Sequence, residues 1–143
     1  MKELVKPKKS ITQTENTYPF LGEVSCGLFG ISDDFVESYL SLDEKFMKNK
    51  ESTFFVRASG DSMSPDIKNN DILVVDRSIT IFSGAIIAFY FNGIPMCKEI
   101  IKSESNTYLK SSNKEFKTIV VTADDELTVF GVVIGIVRDP YDK

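Results

Sequence analysis

The chain has 143 residues, 42% of them hydrophobic, which suits a single domain with a buried core. It holds no histidine and two cysteines, which excludes a Ser-His-Asp triad, a His-bearing zinc site and a four-thiolate site; no metal or other cofactor is expected. The net charge is −4, with +3 on the first ten residues and −7 on the remainder, so the body is a poor partner for a phosphate backbone and direct nucleic-acid binding is not expected.

Residues 1–30 read as a flexible N-terminal arm. They contain Pro7, Pro19, Gly22, Gly27 and Gly30 among many Ser, Thr and Lys, and sustain no helical period. The opening Met1-Lys2-Glu3-Leu4-Val5-Lys6 has no apolar h-region behind its charges, and no run in the chain is long enough to span a bilayer. A cytoplasmic protein is expected, with Cys26 and Cys97 as free thiols. Two apolar patches, Tyr18-Pro19-Phe20-Leu21 and Val24-Ser25-Cys26-Gly27-Leu28-Phe29, point to a segment that docks on something.

Residues 33–40 fit strand or helix equally. Ser41-Leu42-Asp43-Glu44 is a capping box and predicts a short helix over 42–48. From Thr53 onward the pattern is strand and turn, with strands expected over 53–58, 71–76, 84–91, 94–102, 107–110, 118–121 and 129–137. The domain over 31–143 is therefore mostly β, with several short strands and one short helix.

Between the first two of these strands lies Ser59-Gly60-Asp61-Ser62-Met63-Ser64-Pro65. Gly60 permits a tight turn, and Ser62 just beyond it can project its hydroxyl from the rigid end of a sheet. A nucleophilic serine needs such a setting, with backbone N–H groups free to meet an oxyanion. A plain turn rich in Ser, Asp and Gly explains the same residues.

Asn92-Gly93 is the preferred pair for a two-residue type I′ hairpin. That turn sets Phe91 opposite Ile94, Phe89 opposite Met96 and Ile87 opposite Lys98. Lys98 is then the one charge on a face of Ile87, Phe89, Phe91, Ile94, Met96 and Ile100. An ordinary lysine has a pKa near 10.4, so roughly one in a few thousand is neutral at pH 7. Burial lowers that value and makes the amine a usable base. The alternative is a packed stem whose ammonium reaches water. With no histidine to compete, Lys98, 36 residues after Ser62, is the candidate general base for it.

Ser59-Gly60-Asp61-Ser62-Met63, the run Asp71 to Asp76 and Lys98 together resemble the self-cleaving Ser/Lys peptidases that include LexA, phage repressors and UmuD. The resemblance covers most of residues 20–138, and Asp125 to Ile134 is most similar to the UmuD branch. It implies a LexA/signal-peptidase-like β domain and catalysis by Ser62 and Lys98. It also implies cleavage at Cys26-Gly27, where the small residues allow close approach and Val24 and Leu28 can fill pockets. Only 26 residues precede that bond, so a short arm rather than a helix-turn-helix domain is expected. Further implications are promotion by a RecA-type filament on single-stranded DNA, a homodimer, and partnership with a UmuC-type Y-family polymerase in translesion synthesis. A signal-peptidase-like protease acting between molecules and a catalytically idle dimeric binding module are the alternatives. Residues 129–137, apolar at nearly every position, suit either a strand buried on both faces or one partly covered by a second subunit.

Overall fold

The computed structural model describes residues 15–23, 36 and 38–142. The expected cleavage site Cys26-Gly27 lies outside the described residues. The chain divides into two units, Met1–Lys48 and Asn49–Lys143.

In the first unit, β1 (Tyr18–Phe20) pairs antiparallel with β2 (Ser38–Leu40), Tyr18 opposite Leu40. The apolar patch at Tyr18 is thus half of a small ribbon, and the ambiguous stretch before Ser41 resolves at its end as strand. The helix α1 (Leu42–Phe46) starts where the capping box placed it. The Ser41 hydroxyl accepts the Glu44 N–H at 3.3 Å, which satisfies one of the donors left open in the first turn.

The second unit is built on one antiparallel sheet of seven strands. These are β3 (Thr53–Arg57), β4 (Ile72–Asp76), β5 (Ile86–Phe91), β6 (Ile94–Lys102), β7 (Thr107–Lys110), β8 (Ile119–Val121) and β9 (Leu127–Val137). Their order across the sheet is β3-β4-β9-β5-β6-β7-β8. Each corresponds to a strand expected from the sequence, so the domain is mostly β as predicted. Asn92 and Gly93 have φ of 51° and 82°, the left-handed pair that a type I′ turn requires. The register that follows is the expected one, with Phe91 opposite Ile94 and Ile87 opposite Lys98.

The centre of the sheet is buried on both faces. On β5, Ile87 and Phe89 join Ile100, Leu109 and Val132 in one core, while Ala88 joins Met63, Ile67, Leu73 and Val75 in the other. The uniformly apolar β9 feeds both, through Val132 on one side and Val133 on the other. Its register shifts where Ala88 faces Gly131 and Phe89 faces Val129, a bulge that changes which face the following side chains meet. A Cβ on Gly131 would lie 2.7 Å from Val75 Cγ1, so the close crossing of β9 over β4 requires glycine there. The far end of β9 is open, with Ile136 41% and Val137 54% exposed.

Both ends of β4 carry a buried carboxylate. Asp71 accepts Arg138 Nε at 2.7 Å, Arg138 Nη2 at 2.6 Å and the Lys68 N–H at 2.8 Å. Asp76 accepts from Ser52, Ser78 and Asn49 side chains at 2.8, 2.7 and 3.1 Å, and from the Ser78 N–H at 2.8 Å. Among the described residues no helix is long and apolar enough to cross a membrane.

Candidate active site

Ser62 sits in the turn that carries the chain from β3 to β4. Gly60 takes φ of 89° and its N–H is held by Asn69 Oδ1 at 2.9 Å, which closes the approach to the turn. The next residue, Met63, is buried, as is Ile67, whose N–H donates to the Met63 carbonyl at 2.8 Å. These two side chains root the turn in the core with Leu73 and Val75 and leave Ser62 half-buried at its edge. The position is fixed by packing rather than by a loop free to move.

Lys98 stands in the middle of β6 with Ile87 directly opposite and Ile100 two residues along the same face. It is 6% exposed, so most of its side chain is packed against its neighbours rather than free in solvent. Its Nζ donates to Ser111 Oγ at 2.7 Å and lies 5.9 Å from the centroid of the Phe116 ring. Burial drives its pKa below the ordinary lysine value, and the charge of a neighbouring Cys97 thiolate opposes this. Burial in turn pushes the Cys97 thiol up to about 11, so it is uncharged at neutral pH. No carboxylate hydrogen-bonds Lys98 among the described residues.

Ser62 and Lys98 line one cleft of about 650 Å³, together with Met63, Tyr90, Ile94 and Phe116. The structure therefore gathers the two sequence-predicted groups, while the hydrogen bond that Lys98 makes goes to Ser111. Cys26 and Gly27 lie outside the described residues.

One short loop joins the two halves of the site. Ser111-Ser112-Asn113 follows the strand expected over 107–110, and each residue holds part of the cleft. Ser111 meets Lys98. The Ser112 N–H lies 3.4 Å from Met63 Sδ, and its hydroxyl donates to Asp66 Oδ2 at 2.7 Å. The Asn113 N–H donates to the Ser62 carbonyl at 3.0 Å and its side-chain amide to the Asp61 carbonyl at 3.1 Å. The loop falls here because β6 and β7 pair with Glu99 opposite Lys110. One further step of that register sets Ser111 opposite Lys98.

A turn-borne serine and a buried lysine line one apolar cleft of an all-antiparallel sheet, the arrangement expected of a Ser/Lys peptidase-like domain. The Peptidase S24-like family profile matches residues 19–134, and the chain belongs to that family. It is 27% identical over 121 residues to a LexA repressor of Clostridium kluyveri, covering 84% of this chain and 58% of the relative. It is 28% identical over 123 residues to the LexA repressor of Vibrio campbellii, with 85% and 59% covered. A LexA repressor of Leptospira interrogans matches at 25% over 139 residues, covering 95% of this chain and 67% of the relative. The chain thus spans about 58% of the length of the first of these relatives.

Proposed function

We propose that this chain is a self-cleaving serine peptidase of the UmuD kind. Ser62 acts as nucleophile and Lys98 as general base, the cut falls between Cys26 and Gly27, and the trimmed protein serves a translesion polymerase. The observation that carries the reading is the buried Lys98 amine, beside an uncharged partner and in the same cleft as Ser62. A lysine in that setting loses its proton more readily than one in water.

In the proposed reaction the neutral amine of Lys98 takes the Ser62 proton as Oγ attacks the carbonyl carbon of Cys26. Backbone N–H groups of the Ser62 turn meet the oxyanion that forms. Collapse breaks the Cys26–Gly27 bond, and the proton on Lys98 passes to the departing Gly27 amine. Water then attacks the Ser62 ester, again with Lys98 as base, and frees the carboxylate of Cys26. The scissile bond is tethered, which raises its effective concentration enough for a modest pair of catalytic groups to act. The apolar lining of the cleft offers room for Val24 and Leu28.

The UmuD assignment rests on the resemblance over Asp125 to Ile134 and on the Cys26-Gly27 bond in the arm. It brings with it a homodimer, promotion by a RecA-type filament and a UmuC-type polymerase as partner. The LexA relatives favour a second reading, that the chain is the cleavable part of a repressor. Mass spectrometry of the purified chain after incubation from neutral to alkaline pH tests the core of the proposal. Loss of the first 26 residues, faster with a RecA filament present, supports it. Turnover of an added Cys-Gly peptide in excess supports an intermolecular protease, and an intact chain under every condition supports an idle binding module. Tight binding to duplex DNA at physiological salt favours the repressor reading.

A further inference from the structure

Ser111 is 5% exposed, Lys98 is 6% exposed, and their polar atoms are 2.7 Å apart. The contact is a cross-strand one, set by the β6–β7 register just beyond its last paired residues. An amine in an apolar wall can rotate about its stem unless something fixes it. Once neutral it has one lone pair, and proton transfer requires that pair to face the donor oxygen. A hydroxyl acceptor can fix the rotation without adding charge. A carboxylate at the same distance would hold the lysine protonated.

We infer that Ser111 is the positioning residue for Lys98: its hydroxyl oxygen accepts one amine N–H, so that the lone pair turns into the cleft toward Ser62. The inference rests on the peptidase reading above and adds to it a residue outside the nucleophile–base pair. After proton transfer the same oxygen, with the face of the Phe116 ring, holds the new ammonium. The other titratable groups that line the cleft are Arg57, Tyr90, Cys97 and Lys117. None is a carboxylate, and the hydrogen bond that Lys98 makes goes to the neutral hydroxyl of Ser111. The loop it begins also holds the Ser62 carbonyl, which couples the two ends of the proton path through three consecutive residues.

The test uses the full chain. Self-cleavage is followed by mass across pH, and the Lys98 titration is read independently from its Cε chemical shift in Ser62→Ala backgrounds. Ser111→Ala is expected to lower the plateau rate about tenfold to a hundredfold, the range for loss of a hydrogen bond to a charged group. It is also expected to move the Lys98 midpoint further down, because the ammonium loses its acceptor. A loop that merely loosens would admit water and move the midpoint up. Ser111→Thr keeps the oxygen and is expected to retain the rate. Ser111→Asp is expected to move the midpoint up and the cleavage profile to alkaline pH. An unchanged plateau in Ser111→Ala, or a midpoint that rises in it, overturns the positioning role while wild-type cleavage stands. A wild-type chain that never cleaves overturns the peptidase reading, and the role of Ser111 falls with it.

Discussion

The second unit buries charge in two places and treats it in opposite ways. Asp71 and Asp76, at the two ends of β4, are each surrounded by donors that hold them ionised. The Arg138 side chain, opposed by burial and helped by the Lys68 N–H, brings the Asp71 pKa below its ordinary 3.8. The Ser78 hydroxyl and N–H, then Ser52, do the same for Asp76 more strongly. Lys98 is nearly as inaccessible, but its hydrogen-bond partner is one neutral hydroxyl, and burial pulls it toward the uncharged state. A charge meant to stay is given several hydrogen bonds, and at Asp71 a counter-charge as well. A group meant to exchange a proton is given enough contact to hold its place and no more.

The comparison breaks most directly at Lys98. Lys98→Ala is expected to lower self-cleavage by about 10²–10⁴-fold, the usual contribution of a general base, and Ser62→Ala to abolish it by removing the nucleophile, each with the fold retained. Lys98→Arg is expected to fail at every usable pH because arginine stays protonated. Wild-type cleavage should accelerate with pH and level off below the ordinary lysine range. A Lys98→Ala chain that keeps the pH-dependent rate would remove the base from the mechanism.

At the ends of β4 the effects should appear in stability instead. Asp76→Ala leaves the Ser78 N–H and three side-chain donors without their acceptor, and a loss of about 3 kcal/mol is expected in urea unfolding. Arg138→Ala leaves Asp71 buried with the Lys68 N–H as its remaining partner. Because the Arg138 side chain is 37% exposed, water screens part of that pair and the expected loss is smaller, about 2 kcal/mol. The sign with pH follows from the depressed carboxylates. Their contribution is complete above the ordinary value of 3.8 and is lost as pH falls through the folded-state values. The Arg138→Ala deficit should therefore shrink in acid, and a deficit that stays constant from pH 7 to pH 2 would show that the arginine acts by packing alone.

How far this contrast could be read in advance differed between its two halves. Lys98 was legible because a two-residue turn and a period of two are local rules. Asn92-Gly93 sets the hairpin register, and alternation then sets the face. The Ser62 turn was legible for the same reason. Ser111 was not, since its contact depends on how β7 returns along β6 across residues 103–106, which carry no turn signature as strong as Asn-Gly. Asp71 and Asp76 were visible as strand ends only. The partner of Asp71 is 67 residues away, and no local pattern announces a pairing of that range. The bulges in β9 were hidden as well, because a continuous apolar run gives no alternation to interrupt. The candidate nucleophile and base were thus open to sequence reasoning, and the loop that joins them was not.

The smallest expected effect is the most discriminating. If Lys98 is kept for chemistry, replacing the Lys98–Ser111 pair with apolar groups should cost no stability. The double variant Lys98→Met, Ser111→Ala removes both polar atoms together, so neither is left buried without a partner. At pH 7 it is expected to be as stable as the parent or up to about 1 kcal/mol more stable, while it no longer cleaves. Lys98 has a folded-state pKa below its ordinary 10.5, so the unfolded chain binds more protons between those two values. The parent's stability therefore rises with pH across that window. Any advantage of the double variant should be full at the acid side of the window and fade toward pH 10.5. Urea midpoints of the two chains at pH 6, 8 and 10 would test this. A double variant several kcal/mol weaker than the parent would mean that Lys98 supports the fold as the β4 carboxylates do, and the contrast between the two regions would be lost.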